Sequence, residues 1–252
     1  MNLKILIKIK NLFIILKKVR FILKNPEKKK IIIFEKDSLK SLAPLCEKYN
    51  YFVLKSRYYQ IDEIYLSLEI FFFIIKNFFK SNLSSLYLSA LIKKINPKLI
   101  LTTIDNSPHF SNVAKLMKND FKFLAIQCAA RYDIKQFSRK FFLPEFFCFG
   151  EYEKDLYTEY KSVVGKFNYC GSLNQAYFLK SKYFNKNKNN LYDIALVSEP
   201  SPGWSKIFPN FEENIGRLAL FTLRLAKKNN FKVIFVGKRK KNTELFRLEK
   251  LF

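Results

Sequence analysis

The stretch from Ile100 to Ser111, "ILTTIDNSPHFS", puts a carboxylate and an amide where a strand-like run meets the start of a helix. Ser107 is a good N-cap and Pro108 is a good first helical residue, so we expect the helix to begin there. Ligands of a doubly wound sheet bind beyond the carboxyl ends of its strands, which is where Asp105 and Asn106 fall. Such a helix start offers free N–H groups to an anion or to sugar hydroxyls.

The alternative is that Asp105 and Asn106 only close an Asx-type turn. Sequence spacing supports the two interpretations equally. The substitution Asp105→Asn separates them, because asparagine closes the turn as well as aspartate does but carries no charge. We therefore expect Asp105→Asn to be nearly neutral if Asp105 only closes a turn. If Asp105 binds a ligand, the substitution should lower binding about tenfold or more and change stability by no more than about 1 kcal/mol, whereas loss of both would indicate a structural Asp105.

The next predicted strand ends in a similar way, in "AIQCAAR". Gln127 and Arg131 would project from the same edge of the sheet, and arginine can bind phosphate or carboxylate through two hydrogen bonds. The alternative for Arg131 is an ordinary surface arginine. We interpret Cys128 as a small buried residue, since no histidine lies near it in sequence to activate a thiol.

Elements that could position these residues follow one another regularly from residue 30 to residue 180. Strands are predicted near residues 31, 51, 99, 123 and 146, with a sixth in "GKFNYCGS", and helices separate them. A long helical stretch from Ile61 to Ile95 is predicted to break near Ser81-Asn82. Strands that alternate with helices predict a parallel, doubly wound α/β sheet.

A second unit is predicted at residues 192–252, after a polar linker at 181–191. It contains the strands "YDIALVSE" and "FKVIFVG" and, between them, a long helix with Asn210 as N-cap and Glu213 three residues on. Two βα units cannot cover both faces of a doubly wound sheet. We therefore expect one complete domain followed by the truncated start of a second Rossmann-like domain.

Composition limits the partners. The 252 residues are 49% hydrophobic with a net charge of +25, which is enough apolar material for a core and points to an anionic partner. The alternative is a compositional excess of Ile, Lys, Asn, Phe and Tyr, which accounts for part of the charge. The four cysteines lack metal-ligand spacing, and His109 is the only histidine, so we expect neither a metal site nor a disulfide scaffold.

Residues 1–29 form a basic and apolar leader, "MNLKILIKIKNLFIILKKVRFILK" and the residues after it. Its longest uncharged run, Asn11 to Leu16, is too short to span a bilayer. We expect a helix over residues 1–24 that lies on an anionic membrane surface, with a plain helix packed on the domain as the alternative. The expected location is the cytoplasm, or the inner face of the cytoplasmic membrane.

Several of these segments together resemble a known family. "PKLILTTIDNSPHFSNVAK", "AIQCAAR", "CFGEYE" and the Gly171-Ser172 pair, in this order, resemble bacterial surface carbohydrate biosynthesis proteins. That family is similar to glycosyltransferases of the GT-B architecture, in which two Rossmann-like domains face a cleft. The family pattern Gln-Asn-Gly-x-Arg is replaced here by residues 127–131, "QCAAR".

The resemblance implies a glycosyltransferase-like protein of cell-surface polysaccharide biosynthesis that uses a nucleotide-sugar donor and a glycan or lipid-linked acceptor. Asp105 would be the catalytic base, while Asn106, Ser107, Gln127 and Arg131 would bind substrate. The phosphate-binding residues would be Gly237, Lys238 and Arg239, and no metal or other cofactor is required. Three alternatives remain, namely a related nucleotide-sugar epimerase or hydrolase, a non-catalytic remnant or scaffold of the same pathway, and a nucleic-acid binder supported by charge alone.

Overall fold

The computed structural model describes residues 19–129, 140–180, 192–197 and 210–236. The chain divides into two compact units, Met1–Lys180 and Ser181–Phe252. The predicted linker at 181–191 and the predicted site residues Arg131, Gly237, Lys238 and Arg239 lie outside the described residues.

The first unit alternates strands and helices. The strands are β1 (Arg20–Ile22), β2 (Ile31–Phe34), β3 (Tyr51–Leu54), β4 (Glu63–Tyr65), β5 (Leu99–Thr102), β6 (Lys122–Ile126), β7 (Phe142–Leu143), β8 (Glu145–Cys148), β9 (Val163–Val164) and β10 (Phe167–Tyr169). The helices are α1 (Leu39–Cys46), α2 (Leu68–Lys76), α3 (Leu83–Ile95), α4 (Pro108–Met117), α5 (Glu151–Glu159) and α6 (Leu173–Lys180), with single 3-10 turns at Lys36–Ser38 and Phe78–Lys80.

Six of these strands form one parallel sheet in the order β10-β8-β6-β5-β2-β3. The chain first moves from β2 outward to β3 and then returns to build the other side of the sheet from β5. This order reverses once, between β2 and β5, as in other doubly wound folds. The predicted strands and the parallel α/β sheet are confirmed.

Helices cover both faces of this sheet, which explains why its strands show no alternation of apolar and polar residues. Ile32 and Phe34 of β2 belong to a core cluster with residues of α2, α3 and α4. Ile31 and Ile33 of the same strand belong to a second cluster with residues of α1 and α6. Since all four residues of β2 are buried, the sheet offers polar groups mainly where its strands end.

Helix α4 begins as predicted. Ser107 has an extended backbone, its side chain accepts a hydrogen bond from the Phe110 N–H, and Pro108 is the first helical residue. Phe110, Val113, Ala114 and Met117 are buried along one side of the helix. The prediction of an N-terminus at Ser107 with this apolar stripe is confirmed.

The predicted helix from Ile61 was wrong in its first residues. Glu63–Tyr65 form β4, which pairs in parallel with Arg20–Ile22, and α2 begins only at Leu68 with Ser67 as its N-cap. The predicted break near Ser81-Asn82 is confirmed, since the Asn82 side chain caps α3. The prediction failed because β4 pairs with β1, which lies more than 40 residues earlier in the chain. A local sequence pattern contains no information about so distant a partner.

The same pairing corrects the predicted leader helix. Arg20–Ile22 are a strand, so the helix predicted over residues 1–24 within the 1–29 leader does not extend through them. The Arg20 N–H donates to Asp62 O and the Leu66 N–H donates to Ile22 O, at 2.9 and 2.8 Å. Backbone pairing with β4 therefore overrides the helical pattern of this segment. Residues 1–18 lie outside the described part of the chain.

The second unit contains the predicted strand, helix and strand, namely β11 (Ile194–Val197), α7 (Phe211–Asn229) and β12 (Val233–Val236), and the two strands pair in parallel. Asn210 occupies the N-cap position as predicted, but the prediction that its side chain caps the helix was wrong. Asn210 has a left-handed backbone with φ 66°, and its side chain makes no capping hydrogen bond. An N-cap side chain reaches the helix from an extended backbone, which Asn210 does not have.

The aromatic centre of the first unit gives a test of this packing. Phe110 is fully buried, with ring centroids 5.4 Å from Phe34 and 5.7 Å from Phe123. We expect Phe110→Ala to lower the free energy of unfolding by about 3–5 kcal/mol, because it leaves a cavity among these rings. Urea unfolding followed by circular dichroism measures the change.

The matched control is Phe72→Ala, at a mostly exposed ring of α2. It should change the free energy of unfolding by no more than about 0.5 kcal/mol. Equal effects of the two substitutions would contradict the described core.

Candidate functional site

The carboxyl ends of β3, β2 and β5 bring together polar side chains where the strand order reverses. Helix α1 leaves β2 on one face of the sheet and α4 leaves β5 on the other, which is the arrangement that provides a ligand crevice in doubly wound sheets. We call the side chains gathered there the switch-point cluster, which consists of Glu35, Asp37, Ser56, Arg57, Gln60 and Ser107.

Glu35 is the buried centre of the switch-point cluster. It directly follows β2 and is 1% exposed. Its Oε1 accepts hydrogen bonds from Ser56 Oγ at 2.9 Å and from Ser107 Oγ at 2.5 Å. Because Ser56 follows β3 and Ser107 follows β5, one carboxylate connects the ends of three adjacent strands.

The backbone of Glu35 is strained. Its φ of 70° with ψ of 133° lies in a region that residues with a side chain rarely adopt. Such conformations cost about 1–3 kcal/mol and occur mainly at functional sites, where the surroundings enforce them. Here the N–H of Glu35 donates to Leu54 O at 2.7 Å, which holds the strained residue against β3.

Arg57 connects the buried carboxylate to the surface. Its Nη2 is 3.2 Å from Glu35 Oε2, and its Nη1 donates to Asp37 Oδ2 at 2.7 Å. The angles at Glu35 Oε2 do not suit a hydrogen bond, so attraction between the charges is what pairs this buried oxygen. A hydrogen bond with Tyr59 and the charges of Glu35 and Asp37 raise the pKa of the Arg57 guanidinium, which burial opposes.

The outer layer of the cluster is accessible. The side chains of Arg57 and Asp37 are 34% and 43% exposed. Gln60 Nε2 donates to the second oxygen of Asp37 at 2.9 Å. A ligand in the crevice would therefore meet a guanidinium and a carboxylate that hydrogen bonds already hold in place.

The hydroxyl groups of Ser38 and Thr102 fix the start of the β5–α4 loop. Ser38 Oγ accepts from the Thr103 N–H at 2.9 Å and lies 3.3 Å from Thr102 Oγ1. Thr102 Oγ1 in turn accepts from the Ile104 N–H at 3.0 Å. These bonds join the end of β5 to the 3-10 turn after β2 and so fix the positions of these two strand ends relative to each other.

Asp105, the base expected from the sequence, is fully buried. The Tyr157 hydroxyl on α5 donates to its Oδ2 at 2.6 Å. A turn closes over Asp105 and Asn106 through a 3.0 Å hydrogen bond from the Ser107 N–H to Ile104 O. This turn is closed by the backbone, so the Asx-type turn of the alternative interpretation stays a prediction. Asn106 is half-buried beside Asp105, and Ser107 takes part in the cluster.

Both the nitrogen and the oxygen of the Gln127 side-chain amide form hydrogen bonds that join elements of the fold. Its Nε2 donates to Glu153 Oε1 at 2.9 Å and to Ala129 O at 3.0 Å, and its Oε1 accepts from the Phe149 N–H at 2.8 Å. Gln127 is 2% exposed. The structure therefore gives it internal partners in the β8–α5 loop, in α5 and just after β6, and its predicted contact with substrate stays a prediction.

Sequence reasoning missed Glu35 and Arg57. The signal for Glu35 was present, because it follows the buried run "KIIIF" directly, as Asp105 follows β5 closely. Arg57 had no such signal. It lies three residues beyond β3, and only the tertiary contact with Glu35 and Asp37 distinguishes it from a surface arginine.

An apolar cavity of about 460 Å³ adjoins the cluster between β3, β4 and α3. It reaches from Ser56 at the cluster to Leu83 at the start of α3, and the Tyr65 and Tyr87 rings line it. The Tyr87 hydroxyl accepts from the Tyr65 N–H at 2.9 Å, and burial raises its pKa to about 12. This phenol therefore stays uncharged at neutral pH.

The fold and the position of the cluster define the class of protein as a Rossmann-like α/β protein with a polar site at the reversal of its strand order. Comparison with protein-family models and with curated proteins gives no match for the chain.

Two further properties concern only the described ranges. Within residues 19–129, 140–180, 192–197 and 210–236, no helix has both the length and the apolar character needed to cross a membrane. In the same ranges, no three His, Cys, Asp or Glu side chains are grouped so that they could hold a metal ion.

The hydrogen bond between Tyr157 and Asp105 gives a test of a structural Asp105. We expect Tyr157→Phe to lower the free energy of unfolding by about 1–3 kcal/mol, because it removes a donor from a buried carboxylate. The control is Tyr152→Phe on the exposed side of the same helix, which should cost no more than about 0.5 kcal/mol. Urea unfolding compares them, and equal small effects would argue against a structural Asp105.

Proposed function

We propose that the protein is a glycosyltransferase-like protein of cell-surface polysaccharide biosynthesis that acts on a nucleotide-activated sugar. Its first unit binds the acceptor at the switch-point cluster. The observation that carries this proposal is a partly exposed guanidinium, Arg57, which the strained and buried Glu35 holds at the reversal of the strand order, and a partly exposed carboxylate, Asp37, which Arg57 and Gln60 hold beside it. The resemblance of the segments around Asp105 to surface carbohydrate proteins supports the reaction class.

The cluster suits an acceptor that carries hydroxyl groups and a negative charge. Asp37 accepts a hydrogen bond from the attacking hydroxyl, and Arg57 binds a phosphate or carboxylate of the same molecule. In the transfer, the hydroxyl oxygen bonds to the anomeric carbon, the bond to the nucleotide phosphate breaks, and Asp37 takes the hydroxyl proton. Asp37 thus replaces Asp105 as the base, because Asp105 is fully buried.

The neighbouring cavity fits the apolar part of a lipid-linked acceptor. It is bounded by Ser56 at the cluster and is lined mainly by apolar and aromatic side chains. A lipid-linked acceptor needs one polar and one apolar site side by side. The partners in this proposal are a nucleotide-sugar donor and a glycan or lipid-linked acceptor, and the reaction takes place at the cytoplasmic face of the membrane.

A non-catalytic binding protein of the same pathway is the second candidate. The observation that favours it is the burial of Asp105 and Gln127, whose polar groups bond within the fold. The cluster would then bind a sugar ligand without transferring it. Release of nucleotide separates this candidate from the first.

The experiment measures release of nucleoside phosphate from a panel of UDP-, GDP- and CMP-sugars in the presence of membrane extract as acceptor. We expect Asp37→Asn to lower the rate about tenfold or more, because it removes the charge that takes the proton. Arg57→Lys should raise the KM for acceptor about tenfold, since lysine cannot form the two parallel hydrogen bonds of arginine.

Matched controls are Asp120→Asn and Arg20→Lys, at partly exposed ion pairs with Lys93 and Glu63 away from the cluster. They should change the rate of nucleotide release or the KM for acceptor by no more than about twofold. Binding of a nucleotide sugar or glycan without release, measured by saturation-transfer NMR, supports the second candidate. If neither nucleotide release nor ligand binding is observed, both candidates are overturned.

A further inference from the structure

Helix α2 and the turn after it expose an unusual number of large apolar side chains. We call these side chains the α2 patch, which consists of Leu68, Phe71, Phe72, Ile75, Phe78, Phe79 and Leu83. Phe72 is 63% exposed and Phe79 is 100% exposed. The opposite side of the helix packs into the core through Ile70, Phe73 and Ile74. The helix is therefore apolar on both sides, although only one side has a partner in the described part of the chain.

The four phenylalanines of the α2 patch alone come close to the upper limit for ordinary surfaces, and Leu68, Ile75 and Leu83 add to this area. These four rings expose roughly 500 Å², if a fully exposed ring presents about 200 Å². The largest apolar patch of a typical monomer is about 300–600 Å² in all, and larger ones mark interaction sites. The rings of Phe71 and Phe72 contact each other on the helix, and those of Phe78 and Phe79 contact each other in the turn after it, so each pair presents one continuous apolar surface.

The charges within the α2 patch are positive. Lys76 and Lys80 are exposed between its apolar residues. Glu69, the one carboxylate between residues 68 and 83, is held by Lys94 and by Asn25 Nδ2. From Ile70 to Ile104 the sequence contains no Asp or Glu. A partner of this surface must therefore accept apolar side chains and two cations together.

Charge decides among the three occupants that could cover the patch. The first 18 residues of the leader contain five lysines and no acidic residue, so they would bring like charge to Lys76 and Lys80. A second copy of the chain would do the same at a net charge of +25. An anionic phospholipid bilayer is complementary in both respects, since its headgroups attract lysine and its acyl region accepts phenylalanine.

We propose that the α2 patch is a docking surface for an anionic phospholipid membrane. The helix lies in the plane of the bilayer surface, with its phenylalanines about 5–10 Å into the boundary between headgroups and acyl chains. Lys76 and Lys80 contact lipid phosphates. This surface belongs to the described fold and is separate from the leader, and the proposal does not depend on catalysis at the switch-point cluster.

The apolar cavity of the first unit lies next to this surface. Leu83 belongs to the α2 patch and also lines the cavity, whose other end is Ser56. A membrane bound at the patch would therefore lie beside the part of the cavity that Leu83 lines.

The test is sedimentation of the full chain with vesicles of phosphatidylcholine alone or with 30% phosphatidylglycerol. We expect tighter binding to the anionic vesicles, and a loss of affinity of about tenfold or more in the double variant Phe72→Ser, Phe79→Ser. Lys76→Glu together with Lys80→Glu should weaken the preference for anionic vesicles. The control Tyr152→Ser, at an exposed aromatic residue of α5, should bind like the parent.

A second measurement shows which residue inserts. In Phe79→Trp, we expect brominated phospholipids to quench the added tryptophan fluorescence on anionic vesicles, beyond the quenching seen in the parent, which contains one tryptophan. Unchanged vesicle binding by the double serine variant would overturn the proposal and assign binding to the leader. The proposal would also be overturned if the parent did not bind vesicles but formed a dimer in sedimentation velocity, and if the double serine variant lost that dimer. The patch would then be an interface with a second copy of the chain.

Discussion

The buried carboxylate of Glu35 is the interaction on which the site depends. It lies where three parallel strands end, and it would be costly there without partners, because an unpaired charge inside a protein loses its hydration. Ser56 and Ser107 donate to one oxygen, and Arg57 balances the charge at the other. These partners hold a left-handed glutamate backbone in place and fix the position of Arg57 at the surface.

The covered sheet explains why polar groups collect there. A sheet that packs against helices on both faces has no room for charged side chains along its strands, as the four buried residues of β2 show. Its charged and hydroxyl groups are therefore confined to the strand ends and loops. At the carboxyl ends the α4 N-terminus adds N–H groups, and the reversal of strand order leaves space for a ligand.

Helix α2 contrasts with the other helices of the first unit. Helix α4 buries one apolar stripe, whereas α2 has an apolar side in the core and a second apolar side on the surface. Packing of the first unit needs only Ile70, Phe73 and Ile74 from this helix. The exposed phenylalanines are not explained by folding, and for this reason they support an interaction with a partner.

Much of the fold was determined by local pattern. The apolar runs at Ile31–Phe34 and Leu99–Thr102 fixed buried parallel strands, and Ser107-Pro108 fixed the start of α4, because caps and strand burial depend on neighbouring residues. Tertiary structure alone decided that Arg20–Ile22 pair with β4. It also decided that Asp105 is buried against Tyr157 while Glu35 holds Arg57 at the crevice. Each of these contacts joins residues at least 20 positions apart, and which distant groups meet depends on the order of strands in the sheet, which no local window of the sequence contains.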